Sequence, residues 1–140
     1  MSRREWTPAS TQHVSELRAT VDGHDAPAEE LASFVVEHLE GGVVLQVAGE
    51  IDMLTTPRLR DLLDTLVKQQ PPSIILDLAA VTFFASSGLA ALVAAREAAV
   101  AAGVPLRLAA VSRSVRRPLQ ITGLAGRFEC YDDVPAALAP

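Results

Sequence analysis

The chain has 140 residues, 49% of them apolar but only 4% aromatic, and its 17 Asp and Glu against 12 Lys and Arg give a formal charge of −5. That length suits one domain with a core of Leu, Val, Ile and Ala. The acidic balance excludes a general affinity for nucleic acid or anionic membrane, and a single cysteine, Cys130, excludes an internal disulfide framework.

Residues 1 to 31 are polar and charged, with two prolines and little periodicity. They read as a mobile tail with weak helical character at Pro27 to Ala32. The opening "MSRREWTPAS" lacks the apolar run of a secretory signal. The longest apolar stretch, Gly88 to Ala95, is too short to span a bilayer. A cytoplasmic location without membrane insertion is expected.

The pattern changes after the tail. "SFVVEHL" and "VVLQVAG" are β-rich runs separated by Glu40-Gly41-Gly42 and predict a hairpin. "TTPRLRDLLDTLVKQQPP" predicts a helix capped by Thr55 or Thr56, with Pro57 in the first turn and Pro71-Pro72 as its stop. Leu59, Leu62, Leu63, Leu66 and Val67 form its apolar stripe. "SIILDLAAV" is a continuous apolar run, as a central strand covered on both faces would be.

An alanine-rich helix follows, with Leu89, Leu92, Val93 and Val100 available for one face and Gly103 as its C-terminal stop. "VPLRLAAV" predicts another strand. "SRSVRRPLQITGL" predicts a helix ended by Gly123, in which Pro118 forces either a late start with Ser114 as cap or a kink. "GRFECY" and "DVPAAL" suggest a last short strand and a last helical turn or two. Strands alternating with helices predict an α/β fold: one domain over residues 32 to 140, with a mixed β-sheet and helices packed against it.

Between the central strand and the alanine-rich helix stands "FFASSGLAAL", residues 83 to 92. Free N–H groups at a helix start can donate to a serine oxygen, so local sequence favours a cap for Ser86 or Ser87. The same N–H groups favour negative charge. A phosphate on Ser86 would therefore meet a favourable field and add nearly two negative charges to a small neutral surface.

These segments resemble the STAS-domain family and, within it, the bacterial anti-sigma factor antagonists. The resemblance rests on "GEID" at 49 to 52, "ILDLAAVTFFASSGLAALVAA" at 75 to 95 and "AAGVPLRLAAVSRSVRRPLQITGL" at 101 to 124, and it covers about residues 32 to 138. It implies partner switching. The unphosphorylated antagonist binds an anti-sigma factor that is also a serine kinase and so frees the sigma factor. Phosphorylation breaks the complex and a phosphatase restores it. By the same resemblance the switch serine is Ser86, Ser87 supports it, and Asp52 lies near the kinase contact. The implied contact surface is Asp52 with Ala85, Ser86, Ser87 and Gly88, on a chain that is monomeric when free.

One position departs from the family. An aspartate commonly precedes the switch serine, and here the residue is Ala85. A different cognate kinase, slow phosphorylation and a constitutive antagonist all remain open. So does a non-catalytic role in another assembly, such as a lipid-transport ATPase complex.

Other chemistries find less support in the sequence. Ser86 lies in S-S-G, not G-x-S-x-G, and of the three histidines only His38 falls outside the tail. The chain therefore reads as a non-enzyme. His13, His24 and His38 have no metal-ligand spacing, so no metal or other cofactor is expected. Arg113, Arg116 and Arg117 read as a solvated helix face. Cys130 reads as a small core residue.

Overall fold

The computed structural model describes residues 31–140. The tail expectation for residues 1 to 31 lies almost wholly outside them, and Ala32 already opens the first strand. β1 (Ala32–Leu39) and β2 (Gly42–Ile51) form the antiparallel hairpin, with Leu39 opposite Gly42. Next come α1 (Thr56–Lys68), β3 (Ile74–Phe84), α2 (Ser86–Ala102), β4 (Leu106–Ala109) and α3 (Arg113–Ile121). A 3₁₀ turn at Ala125–Arg127, β5 (Glu129–Tyr131) and α4 (Val134–Leu138) complete the order. The five strands lie in the order β1-β2-β3-β4-β5, and every pair after the hairpin is parallel.

Successive residues of β3 join opposite faces of the sheet, and Ile74, Ile75 and Leu76 are all buried, so the start of the strand is covered on both sides. Ile74 and Leu76 enter the larger core with Leu45, Leu59, Leu63, Leu92 and Leu108. Ile75 faces the other way and joins Val44, Ala109, Val134 and Ala137 under α4. The larger core takes α1, α2 and α3, so among the described residues one face of the sheet carries these three helices and the other the short α4. Each fully buried Leu contributes about 1.5–3 kcal/mol relative to exposure. Burying Leu59, Leu63 and Leu66 is therefore what holds α1 to the sheet.

The α2 stripe differs from the one expected. Leu89 and Leu92 are buried, but the rest of the buried face is Ala91, Ala95 and Ala99, while Val100 is 65% exposed. Small residues let α2 lie close to α1 and to the sheet, and Val100, one position past Ala99, is turned about 100° away from the core. β3 also runs further than its apolar stretch, through Thr82 and Phe83 to Phe84. α3 starts at Arg113 and continues through Pro118. Its preceding residue is Ser112, not Ser114. Neither serine caps it: Ser112 Oγ donates to Val81 O and Ser114 Oγ to Thr82 O, both at 2.8 Å. These bonds fasten the start of α3 to the outer end of β3.

Cys130 is a further correction. It lies on β5 with its side chain at the surface, next to a pocket between α3 and the 3₁₀ turn. Among the described residues strand β5 is an edge, with a neighbour on one side.

Candidate partner-binding site

The parallel strands β2 and β3 end side by side, with Ile51 opposite Phe84 and Ala85 N donating to Ile51 O at 2.8 Å. The loops that follow, Asp52 to Thr55 and Ala85 to Gly88, therefore share one end of the sheet. This places all five residues of the expected contact surface at that end.

Asp52 organises its own loop. Its Oδ1 accepts from Leu54 N at 2.9 Å and Thr55 N at 3.2 Å, which is the side-chain-to-backbone turn that Asp makes readily. Thr55 is fully buried; its hydroxyl donates to Glu50 O at 2.8 Å and accepts from Asp52 N at 2.9 Å. Thr55 holds the position before α1, yet it does not cap the helix with its side chain. This loop lifts two large apolar residues into solvent, Met53 at 81% exposure and Leu54 at 65%.

The double serine divides into two roles, neither of them the expected cap. Ala85 occupies the cap position in an extended conformation, φ −82° and ψ 171°, and α2 has no side-chain cap. Ser87 Oγ is 3.1 Å from Thr56 Oγ1, a hydroxyl contact between the first turns of α2 and α1. Ser86 is exposed, and its hydroxyl has no hydrogen-bond partner among the described residues. Gly88 is buried against the core. A Cβ there would lie 3.0 Å from both Ile51 Cγ2 and Phe84 Cζ, so the absent side chain lets α2 approach the strand ends.

Four exposed apolar residues at this end, and the approach of two arginines to it, had escaped the sequence reading. Phe83 is 50% exposed and Ile121 72% exposed. With Ser86, Leu89, Arg113 and Arg117 they line an open groove of about 640 Å³ between the start of α2 and α3. Met53 and Leu54 stand on the β2 side of the same end. A run of two large apolar residues directly after an Asp turn was the available signal for Met53 and Leu54. The groove had no such signal, because its walls are some thirty residues apart in sequence.

His38 is exposed on β1, at the edge of the sheet, away from the β3–α2 junction that carries Ser86. Among the described residues no group of three or more His, Cys, Asp or Glu could hold a metal ion, and no helix is long and apolar enough to cross a membrane. The Cys130 thiol is pushed above its ordinary pKa by partial burial, with the Arg116 charge pulling the other way.

Comparison with known proteins agrees with this architecture. The STAS domain model matches residues 33–137. The anti-sigma-F factor antagonist RsfB of Mycobacterium tuberculosis is 33% identical over 104 residues, which cover 74% of this chain and 84% of that protein. The crystal structure of an anti-sigma factor antagonist from Mycobacterium paratuberculosis superposes with a TM-score of 0.68 at 34% identity, covering 76% of this chain and 91% of that one. The Bacillus cell fate determinant SpoIIAA in its phosphorylated form has the same fold, with a TM-score of 0.62 at 23% identity over 76% of this chain and 96% of that one. With a matching domain model across most of its length and relatives at one-third identity, the chain belongs to the STAS-domain family.

Proposed function

We propose that this protein is an anti-sigma factor antagonist. It binds an anti-sigma factor that is also a serine kinase, through the loops at Asp52 and at Ala85 to Gly88, and so releases the sigma factor. Transfer of a phosphoryl group to Ser86 ends the interaction: the hydroxyl gives up its proton, a bond forms from Oγ to the γ-phosphorus of a nucleoside triphosphate held by the kinase, and the diphosphate leaves. A phosphatase hydrolyses the phosphoserine and restores the binder. The protein itself is non-catalytic.

The observation that carries this reading is the setting of Ser86. Its hydroxyl is exposed and, among the described residues, unpartnered, on an end of the sheet that also presents Met53, Leu54 and Phe83 to solvent. Exposed apolar groups of this kind mark interaction surfaces. A phosphate of nearly two negative charges at the same end would oppose close packing of a partner. Relatives named as anti-sigma factor antagonists support the choice of partner.

Calorimetry against the anti-sigma factors encoded in the same genome tests the reading. Wild type and Ser86→Ala are expected to bind one of them alike, and Ser86→Asp to bind at least about tenfold more weakly, the loss of about 1.4 kcal/mol. Equal affinities for wild type and Ser86→Asp would remove the switch.

Ala85 favours one second reading, a non-catalytic subunit of another assembly such as a lipid-transport ATPase complex. Purification from the host separates the two, because a transporter ATPase would be recovered in place of a kinase-type anti-sigma factor.

A further inference from the structure

The groove beside Ser86 contains two cations without a partner among the described residues. Arg113 and Arg117 both line it, together with Ser86 itself. Four positions apart on α3, they lie one turn from each other on the same side of the helix. Both are exposed, and among the described residues neither makes an ion pair or a side-chain hydrogen bond. Arg116, between them, is already engaged: its Nη2 donates to Val111 O at 3.0 Å. The bonds from Ser112 to Val81 and from Ser114 to Thr82 fix the start of α3 against β3, which leads into Ser86. Two guanidinium groups thus face one groove on a chain whose net charge is −5.

We infer that Arg113 and Arg117 are a clamp for a phosphate carried by Ser86. The inference rests on the proposed phosphorylation of that serine and goes on to say what receives the phosphate. A phosphoserine carries nearly two negative charges at neutral pH and three acceptor oxygens, and guanidinium forks match those oxygens in geometry and charge. Drawn in toward the phosphate, the two side chains lie across the apolar floor formed by Phe83, Leu89 and Ile121. The phosphorylated protein then differs from the free one by a closed groove, with no change of fold.

The test uses the full chain with phosphoserine installed at position 86 during translation. The second ionisation of the phosphate is followed by ³¹P NMR in the parent, in Arg113→Ala/Arg117→Ala and in Arg113→Gln/Arg117→Gln. The other charged groups near this end, Glu50 and Asp52 on the β2 side, Arg58 in the first turn of α1 and Arg116 on α3, are common to all three proteins. Two adjacent cations favour the dianion, so the parent phosphate is expected to titrate about half a unit or more below both variants, the gap narrowing in high salt. Coincidence of the three titrations within about 0.1 unit would overturn the clamp. Installing the phosphate without a kinase keeps the two readings separable. Unmoved titrations with normal binding of an anti-sigma factor remove only the clamp. A clear gap in a protein that its host never phosphorylates removes only the switch.

Discussion

Thr56 Oγ1 and Ser87 Oγ meet at 3.1 Å, and this contact gives the second serine of the pair an occupation that the first lacks. Thr56 is almost fully buried, so removing its partner leaves a hydroxyl to be satisfied away from water. Ser87→Ala is expected to cost about 1–2 kcal/mol in urea unfolding. Ser86→Ala removes an exposed hydroxyl with no partner among the described residues and is expected to stay within about 0.5 kcal/mol of the parent. Similar losses for both variants would contradict the division of roles.

Ala85 leaves the first turn of α2 without a side-chain cap while already holding the extended conformation that a cap residue adopts. Ala85→Asp should therefore accept from the N–H group of Ser87 and stabilise the fold by about 1 kcal/mol, visible as a higher thermal midpoint. An unchanged or lower midpoint would mean that the loop cannot turn a carboxylate toward the helix.

Asp52 combines a structural turn with a place on the proposed contact surface. Asparagine can supply the same accepting oxygen without the charge. Asp52→Asn is expected to keep stability within about 0.5 kcal/mol, whereas Asp52→Ala loses about 1 kcal/mol with the turn bonds. If the charge takes part in docking, Asp52→Asn binds the anti-sigma factor more weakly at unchanged stability. Full binding by Asp52→Asn would confine the residue to its turn.

Gly88 is needed for packing independently of any partner. Gly88→Val would drive two methyl groups into Ile51 and Phe84, whose nearest atoms lie only 3.0 Å from where the new Cβ would stand. A loss of about 2–3 kcal/mol is expected from such overpacking, read from the denaturant midpoint. A neutral result would show that the start of α2 can move away from the strand ends.

The raised pKa of Cys130 has a chemical consequence. Since burial disfavours the thiolate, alkylation by iodoacetamide at neutral pH should be slower than for a free cysteine despite the surface position. Removing the opposing charge with Arg116→Ala should slow it further. Burial penalises the thiolate and leaves the neutral thiol unaffected, so stability is expected to fall as pH rises from the unfolded thiol's pKa through the folded one.

The architecture was legible in the sequence because its signals are local. Alternating Val43, Leu45 and Val47 announce β2, Pro57 and Pro71 bracket α1, and Gly103 and Gly123 close α2 and α3. Each rule is decided by residues within one turn or one strand. The misreadings come where tertiary contacts overrule local preference. Ser86 and Ser87 look like caps, but hydrogen bonding between Ala85 and Ile51 sets the helix start one residue earlier and leaves Ser87 facing Thr56. Val100 looks like core, but the space against α1 and the sheet suits Ala99. Ser114 looks like a cap, but Thr82 offers its hydroxyl a carbonyl on the neighbouring strand.

The candidate site was legible in the same measure. The loops at Asp52 and Ser86 are identifiable as segments, and the parallel pairing of β2 with β3 brings them together. The placement of Arg113 and Arg117 beside Ser86 was not legible, since it depends on how α3 docks on β3 rather than on any spacing in the chain.

Reversible phosphorylation of Ser86 is the step on which the proposed function turns, and intact mass with phosphosite mapping of the protein from its own host probes it without a known partner. Cells are compared while growing and under stress. One phosphate is expected, on Ser86, with an occupancy that changes between conditions. No phosphate in any condition, or a phosphate on Ser87 instead, would contradict the switch.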